Sequence, residues 1–170
     1  MTNHVFEAVR TAMAVREYED REIPDEIVRR IVEAGRLTAS SGNHQPWHFV
    51  MVRNRQNLRD LGSLVTTGRY AATAAAAVIV AYERTSPFGV SDASRAIQSM
   101  ILTAWGDGVG STWTGFGGLE NVRQRFGFPE TYEVLAVIPF GYPKRQVKGV
   151  KKRKPLSEVA SAENFGTAFL

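Results

Sequence analysis

Leu37-Thr-Ala-Ser-Ser-Gly-Asn-His-Gln-Pro-Trp47 marks the point at which a helix-length pattern stops and small polar residues run into an apolar strand. Ser40, Ser41, Asn43 and Gln45 supply donors and acceptors, and Gly42 opens a backbone turn closed to other residues. Pro46 holds the chain extended ahead of His48-Phe-Val-Met-Val52. By its chemistry alone the stretch reads first as an ordinary helix-to-strand connection with a polar surface.

Working outward, periodicity assigns the elements. Val5, Phe6, Val9 and Met13 have helical spacing, which predicts a first helix over Val5–Met13. Pro24, with Asp25 and Glu26 in the first turn, opens a second helix to Leu37, with Ile27, Ile31, Val32 and Leu37 facing inward. His48–Val52 is a strand, a helix follows near Gln56–Leu64, and Ala71–Ala77 leads into Val78-Ile-Val-Ala-Tyr82, an uninterrupted apolar run expected of a strand covered on both faces. Ser91-Asp92 is the expected cap of a long helix to about Asp107, whose Ala93, Ala96, Ile97, Met100, Ile101 and Ala104 form a wide apolar stripe. Gly108 and Gly110 end it. A short strand Ser111–Thr114, a helix Leu119–Phe126 and a strand Val134–Phe140 complete the core. Such an alternation is α+β, a central sheet with helices packed on it.

At 170 residues, 44% hydrophobic and 22% charged, the chain fits a single domain over 1–170 with a real core. With no Cys there is neither a disulfide framework nor a thiolate nucleophile, and the spacing of His4, His44 and His48 gives no metal-ligand pattern. No targeting segment and no membrane-length apolar run occur, so the expectation is a soluble, cytoplasmic protein without a membrane partner. The net charge of +4 is local: Lys144 to Lys154 holds seven of the 21 basic residues and no acid, while the remainder of the chain is net acidic. That strip suits nucleic acid or the phosphate of a nucleotide cofactor, and its poverty in stacking aromatics argues against nucleic acid. Pro155 to Leu170 reads as an arm. Its Phe165, Phe169 and Leu170 would be exposed on a monomer, which implies a homodimer unless the end is simply loose.

Ser-Ser-x-Asn-x-Gln-Pro-Trp over 40–47 resembles the signature loop of the nitroreductase family of flavin-dependent oxidoreductases. Five further stretches resemble the family in its order: Val15-Arg-Glu-Tyr18 with Ile23-Pro-Asp-Glu26, Ser91 to Met100, Gly108 to Gly115, Phe140-Gly-Tyr-Pro143 and Lys151-Lys-Arg-Lys-Pro-Leu156. The resemblance implies a mixed or antiparallel central sheet flanked by helices in an intertwined homodimer with the cofactor at the interface. It also implies FMN as cofactor and NAD(P)H as co-substrate, with hydride passing on to an electron-poor small molecule such as a nitroaromatic, quinone or activated alkene.

By the same resemblance Arg16 lies at the flavin pyrimidine edge, and Lys151 and Arg153 hold the phosphate. Ser40, Ser41 and Asn43 reach the flavin from the other subunit, and the backbone around Thr114 and Gly115 approaches the ring. Read without a cofactor, Arg16 is a surface partner for Glu17, Glu19 or Asp20, and the glycines at 115, 117 and 118 form a plain loop. One departure stands out: the family carries Arg-Arg-Ser or Arg-His-Ser where this chain has Ala12-Met13-Ala14, with Arg10 a turn earlier as a stand-in. That departure keeps open a deazaflavin or a flavin-binding protein without turnover. Nothing in the chain reads as a committed general acid or nucleophile, nor as a Rossmann glycine turn. Trp47, Tyr70, Phe88, Trp105 and Trp113 are candidates for the stacking face.

Overall fold

The computed structural model describes residues 3–169. The first expected helix forms as α1, His4–Thr11, with the Asn3 side chain accepting the Phe6 N–H as its cap. It stops before Met13, and Ala12 to Ala14 leave it in extended conformation. The second helix, α2, spans Asp25–Arg36; Leu37 falls beyond its last turn and is 67% exposed, which corrects the expectation that it faces inward.

The sheet is built from β1 (Trp47–Val52), β2 (Ala76–Glu83), β3 (Gly110–Ser111) and β4 (Tyr132–Gly141), in the order β1-β2-β4-β3, with every neighbouring pair antiparallel. Residues of β2 alternate between two apolar layers. Ala76, Val78, Val80 and Tyr82 join the core that includes Ile31 of α2 and the stripe of α4 (Gly89–Gly106). Ala77, Ile79 and Ala81 join the one that includes Leu58 and Leu61 of α3 (Arg55–Leu64) and Val122 of α5 (Glu120–Arg125). A strand with both faces dry has no polar positions to alternate, which accounts for its unbroken apolar sequence.

The α4 stripe buries Ala93, Ala96, Ile97, Met100 and Ala104 as its spacing predicts, with Ile101 partly covered. Its start differs from expectation. The helix begins at Gly89 after Phe88, so Ser91 and Asp92 lie inside it, and the Asp92 carboxylate bonds to Ser41 rather than capping the helix. The short strand expected over Ser111–Thr114 divides: Gly110 and Ser111 pair with β4, while Thr114 makes a separate bridge to Val137.

One edge of the sheet positions the site. The extended segment after α1 runs alongside β3, with a parallel bridge between Ala14 and Ser111 and the Val15 N–H donating to the Ser111 carbonyl at 2.8 Å. Buried Val15 and Tyr18 pin it, the Tyr18 hydroxyl donating to the Val15 carbonyl at 2.7 Å, and Arg16 between them projects outward. Burial pushes the Tyr18 phenol well above its ordinary range, so it stays a neutral donor. The C-terminal arm carries a short helix, α6 (Leu156–Val159), not anticipated from sequence, and leaves Phe165 exposed; Leu170 lies outside the described residues.

Candidate functional site

Three adjoining cavities follow the chain from Ser111 to Leu119. The first, about 250 Å³, lies between the end of α1 and α4 and includes Ala12, Met13, Ala14, Lys151 and Arg153 in its lining. The second, about 510 Å³, is bounded by Arg16, Thr66, Thr67, Arg69, Tyr70, Thr112 and Trp113. The third, about 530 Å³, is lined by Thr66, Thr67, Trp113 and the Gly115-Phe-Gly-Gly-Leu119 loop. Thr112 and Trp113 wall both the first and the second, and Thr66, Thr67 and Trp113 both the second and the third. They therefore make one trough with Lys151 and Arg153 at one end and Arg16 near the middle.

Arg16 takes part in no ion pair among the described residues. Of its expected acidic neighbours, Glu17 pairs with Arg145 and Asp20 with Arg55, Glu19 makes no ion pair with it, and its guanidinium stands 5.9 Å from the centre of the Tyr70 ring. Arg69 borders the same cavity and likewise has no ion-pair partner among the described residues. Two guanidinium groups facing a hollow lined by threonine hydroxyls, without a carboxylate on its walls, set up a positive potential there.

Trp113 forms the centre of the trough. Its indole N–H donates to the Gly115 carbonyl at 2.6 Å, and its ring is 6.1 Å from that of Phe116, which is 70% exposed at the rim. Gly115, Gly117 and Gly118 all take positive φ, a path that side chains would strain, so the loop can turn its main chain toward the trough. The Gly115 N–H points to the Thr67 hydroxyl at 3.2 Å, a single neutral contact. Thr114, in contrast, faces inward: it is 1% exposed, and its N–H and hydroxyl both donate to the Val137 carbonyl. It ties the start of the Gly115 loop to β4.

Of the expected site residues, Arg16, Gly115, Lys151 and Arg153 thus line the trough. Ser40, Ser41 and Asn43 do not; they form a single turn ahead of β1, and Ser41 borders a separate cavity of about 290 Å³ that includes His44, Phe88 and Asp92 in its lining. Gly42 and Asn43 both take positive φ, and the Ser40 hydroxyl accepts the Gln45 N–H at 2.9 Å, so the turn is a defined one. Arg10 does not fill the place of the missing side chains, because it is bound to Glu7 through its guanidinium and does not line the first cavity. Of the aromatic candidates, Tyr70 and Trp113 reach the trough, whereas Trp47 sits in the core and Trp105 donates to Thr11.

Thr66, Thr67, Arg69 and Phe116 were not singled out by sequence. The polar run Thr-Thr-Gly-Arg after α3 was the available signal for the first three. Among the described residues no group of three or more His, Asp or Glu is gathered to hold a metal ion, and no helix is long and apolar enough to cross a membrane.

With this geometry in hand, likeness to known proteins is informative. The sequence model of the nitroreductase family matches residues 9–84 and 66–142. A protein of Methanothermobacter thermautotrophicus, provisionally named NADH dehydrogenase/NAD(P)H nitroreductase, is 37% identical over 147 residues, covering 82% of this chain and 77% of its own. A protein of the same provisional name from Archaeoglobus fulgidus is 36% identical over 143 residues, covering 79% and 82%. The crystal structure of one more so named, from Parabacteroides distasonis, superposes with a TM-score of 0.88 at 27% identity, covering 96% of this chain and all of that one.

Proposed function

The chain belongs to the nitroreductase family, and from that premise we propose that it is an FMN-dependent oxidoreductase passing hydride from NAD(P)H to an electron-poor small molecule. The observation that carries this reading is the trough itself, which sets an Arg16 guanidinium free of carboxylate partners near its middle and two cations at its end. The residues present fit a flavin at the ring end, where hydroxyls, a cation and positive-φ main chain converge. At the phosphate end Lys151 and Arg153 supply the cations.

When bound, the flavin supplies the transfer of hydride between the nicotinamide and the acceptor. The protein supplies the field and the shape. Arg16 would stabilise negative charge at the pyrimidine edge of the flavin, with Arg69 adding to the same potential. The Gly115 N–H, 3.2 Å from the Thr67 hydroxyl, would be a donor available to the ring, and Thr114 keeps that loop in place. Lys151 and Arg153 hold the phosphate, and Trp113 walls the trough along its length.

We propose further that the working unit is a homodimer in the cytoplasm. Val5, Phe6 and Val9 of α1 and, separately, Phe165 of the arm are exposed apolar side chains that a second copy would cover. In that assembly Ser40, Ser41 and Asn43, which stand away from the trough of their own subunit, serve the flavin of the partner.

The test is spectroscopic. Purified protein should carry an oxidised-flavin absorbance band that NADH or NADPH bleaches and a nitroaromatic or quinone restores. Colour that neither nicotinamide bleaches would instead establish a flavin-binding protein without turnover, and retention of a deazaflavin in preference to FMN would replace the cofactor.

A further inference from the structure

The trough carries more positive charge than a flavin alone would use. The walls of its cavities include Lys151, Arg153, Arg16 and Arg69 and, among the described residues, no Asp or Glu. A phosphate monoester brings about two negative charges, which Lys151 and Arg153 meet at one end. A reduced flavin ring brings one more, at the edge assigned to Arg16. Arg69 is left over.

It stands on the loop between α3 and β2, whose path is fixed from behind. The Gly68 N–H donates to the Val65 carbonyl and the Ala71 N–H to the Gly68 carbonyl, both at 2.8 Å, and Val65, Gly68 and Ala71 are buried. The Arg69 side chain, in contrast, is exposed and makes no ion pair or hydrogen bond among the described residues, so its donors are kept for a ligand in the hollow it borders. Thr66 and Thr67 beside it are exposed as well. The Thr67 hydroxyl accepts the Gly115 N–H and keeps its own O–H to give.

Resting on the flavin reading above, we propose that Arg69, with the Thr66 and Thr67 hydroxyls, forms a subsite for an anionic group on the electron acceptor, so that the preferred acceptors are electron-poor aromatics carrying a carboxylate. A planar carboxylate matches the guanidinium fork through two parallel hydrogen bonds, which orient the acceptor as well as hold it. Trp113, on the wall of the same cavity, offers apolar surface to its aromatic part. Because the subsite is open to water and salt, its contribution to affinity is modest, about five- to tenfold.

The experiment compares para-nitrobenzoate with para-nitrobenzamide, which share a shape and differ in charge. Each is titrated into the oxidised, flavin-loaded full-length chain without nicotinamide, so that nothing turns over, and binding is read from the flavin absorbance. The native chain should hold the carboxylate about five- to tenfold more tightly than the amide. Arg69→Gln should bring the two together, Arg69→Lys should keep part of the preference, and added salt should erode it. Any effect of Arg69 on the flavin itself is felt by both ligands and cancels in their ratio. A native chain without that preference, or a preference that Arg69→Gln leaves intact, would overturn the proposal with the flavin reading still in place. A second arm measures KM for NADH and NADPH, whose phosphates are the other anions within the reading. A rise in those values on Arg69→Gln, with the carboxylate-to-amide ratio unmoved, would give Arg69 to the dinucleotide and overturn the proposal. Protein that takes up no flavin would overturn the flavin reading and this inference with it.

Discussion

The carboxylate of Asp92 accepts the backbone N–H of Ser41 at 3.1 Å, joining positions fifty-one residues apart. Asp92 is fully buried, also accepts the Ser41 hydroxyl at 3.4 Å, and is paired with Arg95 one turn along α4. The turn before β1 is thus tied to the first turns of the central helix, and the residues the dimer reading sends toward a partner are held from behind.

Removing that tie should destabilise the fold. Asp92→Ala leaves the Ser41 N–H without its acceptor and should lower the unfolding free energy by about 2–3 kcal/mol, while Asp92→Asn, which keeps one acceptor oxygen, should cost roughly half as much. Urea denaturation of the three proteins measures this. Equal stability of native chain and Asp92→Ala would mean that the turn stands without its anchor.

Arg16 makes the opposite case, a residue whose value lies outside the fold. Its guanidinium stands over the Tyr70 ring, and Arg16→Gln should change unfolding free energy by no more than about 1 kcal/mol. In the flavin-loaded protein the same substitution should make the two-electron midpoint potential more negative by about 30 mV or more, the equivalent of losing about 1.4 kcal/mol of charge stabilisation. A potential unmoved by Arg16→Gln would remove Arg16 from the ring edge.

The contrast shows how far sequence could lead. The dry strand β2 and the α4 stripe were legible because apolar periodicity records burial directly, and burial followed it. The start of α4 was not. Ser91-Asp92 has the chemistry of a cap, but a carboxylate can serve any nearby donor, and the tertiary one, Ser41, prevailed. Leu37 was misplaced because α2 ends one residue earlier and carries it into solvent. At the site, resemblance supplied Arg16, Gly115, Lys151 and Arg153, and the structure sets all four along one trough. Thr67 and Arg69 come from the loop after α3, and only the fold brings that loop beside Trp113.

The approach of the Arg16 segment to β3 depends on a missing side chain. A Cβ at Gly110 would stand 2.4 Å from Cγ2 and 2.7 Å from Cβ of Val15, which is itself buried. Gly110→Ala should therefore cost about 1–3 kcal/mol by overpacking. Val15→Ala should relieve part of that cost, so that the double variant is more stable than the sum of the two single losses predicts. Strict additivity in thermal or urea unfolding would show that the two residues do not touch.

Away from the site, Glu120 gives the fold a dependence on acid. Hydrogen bonds from the Arg123 guanidinium at 2.6 and 2.8 Å, helped by Gln124 and by the charge of Arg84, hold its carboxyl down to about 2 from an ordinary 4.5. In the unfolded chain the group returns to its ordinary value, so between those two limits the unfolded state binds more protons and stability rises with pH. The contribution is complete above about pH 4.5 and drains away as pH falls toward 2. Glu120→Gln removes that linkage while leaving Arg123, nearly buried, its bond to the Phe128 carbonyl at 2.8 Å. Urea midpoints of the native chain and the variant should therefore differ by a constant amount from about pH 7 to about 5 and converge below about 4.5. A gap that held steady or widened on acidification would show that Arg123 does not lower the Glu120 carboxyl in the folded protein.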